Sequence, residues 1–102
     1  MAKTKINKTQ TCRGFDLLEF DDLYGEKCNI QKSSLGTDDA IWFGIEDANP
    51  QIMASKTPQG GTGWVKYEIS EDVLLSTRMH LNRQQVKELI PILKKFVKTG
   101  EL

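Results

Sequence analysis

The last third of the chain carries its clearest hydrophobic pattern. Apolar residues recur there at steps of three and four, which is the spacing of one buried stripe on an α-helix. They are Val86, Leu89, Ile90, Leu93, Phe96 and Val97. Asn82 and Gln85 have the pattern of a capping box, so the helix is predicted to begin at Arg83. Gly100 suits the helix end, and Pro91, which removes a backbone donor inside the helix, predicts a kink or a split.

Before this helix, the hydrophobic pattern changes to the alternation that is typical of β-strands. Strands are predicted at Phe15–Asp22, Lys27–Ser34, Ala40–Ile45, Gln51–Ser55, Trp64–Ile69 and Val73–Leu81. The first two form a hairpin, the apolar third strand is central, and the last strand runs directly into the helix. The pattern therefore predicts an α+β fold, with an antiparallel sheet of about five or six strands and one C-terminal helix packed on it.

The length and charge of the chain indicate one cytosolic domain. Its 102 residues suffice for a single core, so residues 12–102 are expected to form one α+β domain and residues 1–11 a flexible tail. The tail lacks the apolar run of a signal peptide, and no later stretch approaches the length of a membrane span. We therefore expect a cytoplasmic protein without a membrane partner. The formal net charge of zero argues against a nucleic-acid polymer as partner.

The chain offers little material for metal binding or catalysis. Cys12, Cys28 and the single histidine, His80, make no convincing zinc site, and we predict no metal and no cofactor. The glycine-rich stretch Gly60–Gly63 lacks the Gly-Lys-Ser/Thr ending of a P-loop and leads into a strand rather than a helix. No nucleophile elbow or second histidine accompanies His80, so no catalytic residue is predicted and the protein is not expected to be an enzyme.

The junction between the last strand and the helix is the best candidate for a ligand-binding site. Alternation places Arg78 and His80 on one face of the strand, and the free backbone N–H groups of the helix start attract anions. Neutral polar side chains of the second strand can bind hydroxyl groups, and a tryptophan can stack on a base. The candidate ligand-binding residues are Arg78, His80, Asn82, Arg83, Gln31, Ser33 and Trp42.

Each candidate residue also has a purely structural interpretation. Trp42 lies in an apolar run that is typical of core packing, and Gln31 and Ser33 lie on a face that is typical of a solvated strand surface. The two arginines can form surface ion pairs with the many acidic residues. Convergence on a concave pocket with an aromatic wall favours binding, whereas scatter over a convex surface favours the structural interpretation.

A homo-oligomer is expected from the predicted fold. One helix can cover only part of a sheet face in so short a chain, which leaves apolar surface to be hidden by a copy of the same chain. We therefore expect a dimer or a higher even oligomer.

Over about nine tenths of its length the chain resembles a family of small bacteriophage and prophage proteins. The segments that carry the resemblance are Phe20–Asp21, Tyr24–Gly25, Cys28–Leu35, Ile41–Gly44, Thr77–Leu81 and Gly100–Leu102. This family is similar to phage anti-Thoeris sponge proteins, which block bacterial anti-phage defence by sequestering a cyclic ADP-ribose-type signal nucleotide without cleaving it. The resemblance implies a non-catalytic nucleotide-binding protein that assembles into a homo-oligomer with pockets at subunit boundaries.

A second function stays open at this point. A small phage protein with these features can also be a protein–protein interaction module or a virion accessory module. The resemblance assigns no ligand residue to this chain, so the candidate residues rest on the strand–helix junction alone.

Overall fold

The computed structural model of the chain describes residues 5–102, and its fold is α+β. The elements in chain order are β1 (Asn7–Gln10), β2 (Asp16–Asp21), β3 (Lys27–Lys32), β4 (Ala40–Ile45), β5 (Gln51–Met53), a 3-10 turn (Ala54–Lys56), β6 (Trp64–Lys66), β7 (Arg78–Asn82) and α1 (Arg83–Thr99). Five strands form an antiparallel sheet in the order β1-β2-β3-β4-β7, and β5 pairs with β6 in a separate two-stranded sheet. The predicted antiparallel sheet with one C-terminal helix is therefore confirmed.

The chain divides into two compact units. The first is Met1–Glu46 with Arg78–Leu102, and it contains the five-stranded sheet and α1. The second is Asp47–Thr77, and it contains the β5–β6 hairpin. The expectation of one undivided domain over residues 12–102 did not include this division, because the strands of the hairpin were counted with those of the main sheet. Local alternation predicts a strand but does not tell which sheet it joins.

The tail predicted for residues 1–11 is wrong where β1 forms. β1 pairs antiparallel with β2, from Asn7 opposite Glu19 to Gln10 opposite Asp16. All residues of β1 are polar and exposed, so this edge strand is held by backbone hydrogen bonds and has no hydrophobic pattern that sequence reasoning could detect. Residues 1–4 lie outside the described part of the chain.

The helix begins where the capping box predicts. The Asn82 side chain accepts a hydrogen bond from the Gln85 N–H at 2.8 Å, and the Gln85 side chain accepts one from the Asn82 N–H at 2.9 Å. Gly100 ends the helix in the left-handed conformation, with φ of 76°. The helix runs without interruption through Pro91, so a split there is wrong. Pro91 withholds one donor from the carbonyl of Lys87, and that residue is exposed, so water can take the place of the donor.

β7 is shorter than the predicted strand Val73–Leu81. Its pairing with β4 stops where Arg78 lies opposite Gly44, and β4 ends one residue later. Residues 73–77 are therefore not in a strand, although their sequence is apolar enough to suggest one. Leu74 is 89% exposed.

The register gives the main sheet two unlike faces. What we call the apolar face carries Leu18, Phe20, Cys28, Ile30, Ile41, Phe43, Ile45, Met79 and Leu81. What we call the polar face carries Leu17, Glu19, Asn29, Gln31, Ser33, Trp42, Gly44, Arg78 and His80. The first turns of α1 lie against the apolar face, where Ile41 and Leu81 line a groove of about 510 Å³ together with Val86 and Ile90. The helix and the polar residues therefore lie on opposite sides of the sheet.

The second unit is a β-hairpin with a glycine-rich connection. The N–H of Ala54 donates to the carbonyl of Gly63 at 2.9 Å, and Gly60, Gly61 and Gly63 all have positive φ. Positive φ is costly for other residue types, which explains the glycines without reference to a ligand. The connection leads into β6 and not into a helix, so it lacks the context of a phosphate-binding loop.

Candidate functional site

Three neighbouring strands bring the polar side chains together. Gln31 on β3 lies opposite Trp42 on β4, which in turn lies opposite His80 on β7. One step further along the sheet, Asn29 and Arg78 both lie opposite Gly44. Because Gly44 has no side chain, nothing on β4 at this position separates Arg78 from the residues of β3.

Arg78 crosses β4 and binds two amide side chains of β3. Its Nη1 atom donates to Gln31 Oε1 at 2.9 Å and to Asn29 Oδ1 at 3.2 Å. Its guanidinium carbon lies 5.5 Å from the centre of the Trp42 ring, within the range of a cation–π contact. Both hydrogen bonds come from Nη1, so Nη2 and Nε keep their donors for other groups. The guanidinium is thus held in position by neutral partners.

Arg78 forms no ion pair with a carboxylate among the described residues. The ion pairs between described residues are Lys32–Asp39, Lys66–Glu68 and Arg83–Asp39, and none of them involves Arg78. An amide oxygen satisfies a guanidinium donor without neutralising its charge. A half-buried, oriented guanidinium without an acidic partner among residues 5–102 is well suited to bind an anion.

His80 extends the cluster along the sheet edge. Its ring stacks on the Trp42 ring with centroids 3.9 Å apart and planes 6° from parallel. Its Nε2 atom lies 2.9 Å from Ser33 Oγ, and the Leu35 N–H donates to the same oxygen at 3.2 Å. Trp42 is half-buried whereas His80 is exposed, so the outer side of the stack is open to a ligand.

The structure brings five of the predicted site residues together and does not bring in the other two. The five are Gln31, Ser33, Trp42, Arg78 and His80. Asn82 uses its side chain in the capping box, and Arg83 pairs with Asp39 at 3.7 Å while its side chain is 83% exposed. The prediction grouped these two with Arg78 by closeness in sequence, but the helix turns away from the polar face at its first residue.

Asn29 belongs to the cluster although it was not among the predicted site residues. Its side chain is buried, with 6% exposure, and accepts from Arg78. The signal was present, because alternation puts Asn29 on the same strand face as Gln31 and Ser33. Ser33 is also buried, with 5% exposure, so the interpretation of this face as a solvated surface is wrong for both residues.

Ser33 and His80 are as close together as a catalytic nucleophile and its general base. The distance of 2.9 Å is within the range of such pairs. However, Ser33 is only 5% exposed, and its oxygen already accepts a backbone hydrogen bond. Among the described residues, no side chain orients the second ring nitrogen of His80. The arrangement fixes the imidazole in place, and nothing in it brings a substrate carbonyl or a water molecule to the hydroxyl.

The cluster lies outside the groove and the hollow that flank the helix. The groove on the apolar face is lined by residues such as Ile41 and Val86, and a hollow beside the helix start is lined by Asp38, Asn82 and Arg83 among others. Arg78, His80 and Trp42 line neither. The residues therefore converge, as binding requires, at a place on the sheet that neither the groove nor the hollow includes.

Metal binding receives no support from the described residues. Within residues 5–102 no three side chains of histidine, cysteine, aspartate or glutamate come together as metal ligands would.

Searches against protein-family models, curated proteins and solved structures found no match to this chain. In the described part of the chain, no helix has the length and apolar character that a bilayer crossing needs.

Proposed function

We propose that this protein binds and sequesters a small anionic nucleotide without cleaving it. The observation that carries the proposal is the Arg78 guanidinium, which is oriented by Asn29 and Gln31, lacks an acidic partner among the described residues, and lies beside the exposed Trp42–His80 stack. A phosphate needs fixed donors, and a base needs an aromatic plane. Both are present on the polar face within one cluster.

The parts of a nucleotide match the parts of the cluster. A phosphate oxygen accepts from Nη2 and Nε of Arg78, while a base stacks on the outer side of His80. The amide nitrogen of Gln31 is a donor for a ribose hydroxyl, because Arg78 uses only the oxygen of that amide. No step of this binding requires a base or an activated water, so the ligand leaves the protein chemically unchanged.

The nucleotide class that we propose is a cyclic ADP-ribose-type immune signal. This choice is supported by the resemblance to anti-Thoeris sponge proteins, and the polar face is compatible with it because it combines an anion site with an aromatic surface. Sequestration of such a signal in the host cytoplasm would block bacterial anti-phage defence. We also propose that the protein works as a homo-oligomer, because an open sheet face needs a second surface to enclose a ligand.

The experiment is a thermal-shift and calorimetric titration with cyclic ADP-ribose on matched arginine variants. Ligand at 100 times its Kd should stabilise the protein by roughly 2.7 kcal/mol. Arg78→Ala should weaken binding by about 1.5–3 kcal/mol, the usual range for a charged hydrogen bond. Arg83→Ala removes the same side chain from a position outside the cluster and should bind like the parent protein.

Recovery of the ligand separates sequestration from catalysis. Heating the complex should release the nucleotide intact, as chromatography and mass determination would show. Hydrolysed nucleotide would make the protein an enzyme. Equal affinity in the Arg78→Ala and Arg83→Ala variants would place the ligand away from the polar face.

A protein–protein interaction or virion accessory module is the second candidate function. The observation that favours it lies in the second unit, where Trp64 is 66% exposed and Tyr67 is 50% exposed. Exposed aromatic residues are typical of interface hot spots. If no nucleotide binds and a Trp64→Ala variant loses a phage partner while Arg78→Ala keeps it, this function replaces the first.

A further inference from the structure

The apolar stripe of α1 is left largely uncovered by its own chain. No residue of the helix is buried among those described, although the stripe contains only large apolar side chains. Leu93 is 53% exposed and Phe96 is 52% exposed. A helix stripe of this kind stabilises a fold only when it packs against another apolar surface.

The first half of the helix has such a surface, and the second half does not. Val86 and Ile90 line the groove together with Ile41 and Leu81, and the lining includes no helix residue after Ile90. On the sheet side, Met79 of the apolar face is 55% exposed. In the described chain, the helix after Ile90 therefore has no sheet surface to pack against, and the sheet around Met79 is not covered by the helix.

The total accessible surface of the chain also exceeds that of a compact monomer of the same length. The chain has an accessible surface of 8875 Å², whereas a folded monomer of this length has about 5,800 Å². The difference is about 3,000 Å², and obligate homodimers bury roughly 1,000–2,500 Å² on each copy. The excess, which includes polar and apolar surface, is therefore at least as large as the surface that each copy buries in a stable dimer.

We propose that two copies of this chain associate through the apolar face, and that the half of each α1 after Pro91 covers the apolar face of the other copy. A two-fold arrangement satisfies both deficiencies at once, because each copy supplies the helix segment that the other lacks. The formal net charge of zero gives the two copies no long-range repulsion. A partner of different sequence would have to supply both a sheet and a helix of matching character.

This association leaves the polar face free. Arg78, His80 and Trp42 lie on the opposite side of the sheet from the helix, so each copy in the dimer keeps its own cluster open to solvent. A pocket shared by two copies then requires a second kind of contact between dimers, and hence a higher even oligomer. The dimer does not depend on nucleotide binding, but it rests on the homo-oligomeric state that is also part of the proposed function.

The test measures mass and thermal stability on the full chain. Light scattering should return a dimer at micromolar concentration, and the unfolding midpoint of the parent protein should rise with protein concentration. Leu93→Glu and Phe96→Glu should each give a monomer. The matched control is Leu23→Glu, which places the same charge on a 90% exposed leucine of the β2–β3 turn and should keep the dimer.

A milder variant keeps the proposal testable if a buried charge prevents folding. Leu93→Ala retains helix propensity and should raise the dimer dissociation constant at least tenfold. A monomer mass for the parent protein, with a midpoint independent of concentration, overturns the proposal. So does a dimer that survives in all three variants at positions 93 and 96. A monomer mass would also remove the homo-oligomer from the proposed function, whereas nucleotide binding at Arg78 is tested separately by the titration, because none of the present measurements uses a nucleotide.

Discussion

The two faces of the main sheet differ in how far their side chains find partners within one chain. On the polar face, Arg78 and His80 reach across β4 to partners on β3 and at Ser33 directly after it, and the buried polar side chains there have partners within the described chain. On the apolar side, Met79 of the sheet and Phe96 of the helix are both more than half exposed. The polar groups find partners within one chain, whereas these two apolar side chains stay largely exposed.

This difference has a physical cause. Hydrogen bonds are short and directional, so a few side chains in the correct register can satisfy each other completely. Apolar burial scales with area, and a short chain with one helix cannot supply enough of it. The comparison predicts that substitutions on the polar face change the stability of each copy, whereas substitutions on the apolar face and α1 change the number of copies.

The largest effect on the polar face is expected from Arg78→Ala. This variant leaves the side-chain amide oxygen of the buried Asn29 without its donor, which typically costs about 1–3 kcal/mol of unfolding free energy. Urea denaturation would measure this loss, and light scattering should show an unchanged mass. Arg83→Ala is the control, because an exposed ion pair contributes about 0–1 kcal/mol. Equal stability of the two variants would mean that Asn29 is satisfied in another way.

The second prediction concerns the residue where the polar face meets the helix. Asn82→Ala removes the N-cap acceptor of the Gln85 N–H and should lower the unfolding free energy by about 1 kcal/mol. Asn82→Asp restores an acceptor and should recover most of the loss. Denaturation of both variants would measure this, and neither should change nucleotide affinity, since the Asn82 side chain is engaged in the cap. A loss of nucleotide affinity in Asn82→Ala would mean that the helix start takes part in binding.

Sequence reasoning succeeded where a local pattern carries the information. The capping box at Asn82 and the helix end at Gly100 were predicted correctly, because each depends on residues within one helix turn of each other. Within the main sheet, β2 and β3 were predicted from alternation and β4 from its continuous apolar run. Alternation also placed Gln31 and Ser33 on one face, and Arg78 and His80 on one face, before their strands were known to be joined through β4.

Sequence reasoning failed where pairing rather than pattern decides. β1 is polar and exposed, so no periodicity reveals it, and the β5–β6 hairpin has the same local signals whether or not it joins the main sheet. Arg83 was assigned to the site because it is near Arg78 in sequence. Asn29 was left out of the site because the role of Gly44, which opens a path across β4, becomes visible only in the register.

The third prediction separates the aromatic stack from simple burial. Trp42→Leu keeps an apolar side chain in the centre of the polar face but removes the plane on which His80 stacks. Aromatic pairs contribute about 0.5–1.5 kcal/mol beyond their buried area, so the unfolding free energy should fall by about that amount. Trp42→Phe keeps an aromatic plane and should lose less. The exposed Trp64→Leu is the control for tryptophan loss, and a similar loss there would remove the special role of the stack.

The smallest effect is a chemical one on the apolar face. Burial raises the pKa of the Cys28 thiol, and the neighbouring carboxylates of Asp22, Asp21 and Glu26 raise it further. Iodoacetamide at mildly alkaline pH should therefore modify the exposed Cys12 much faster than Cys28, as peptide mass analysis would show. Modification of Cys28 at the rate seen in the denatured chain would mean that this part of the apolar face opens readily.

The same thiol gives a pH dependence whose sign follows from the direction of the shift. The pKa of Cys28 is higher in the folded chain than in the unfolded chain, so the unfolded chain releases this proton first as the pH rises. The thiol therefore has no effect on stability at neutral pH, and it lowers the unfolding free energy as the pH rises through and above the ordinary thiol range. Cys28→Ala should lose this decrease and keep the pH dependence of the other groups, which denaturation at neutral and alkaline pH would measure. An identical alkaline decrease in both proteins would assign the effect to groups other than Cys28.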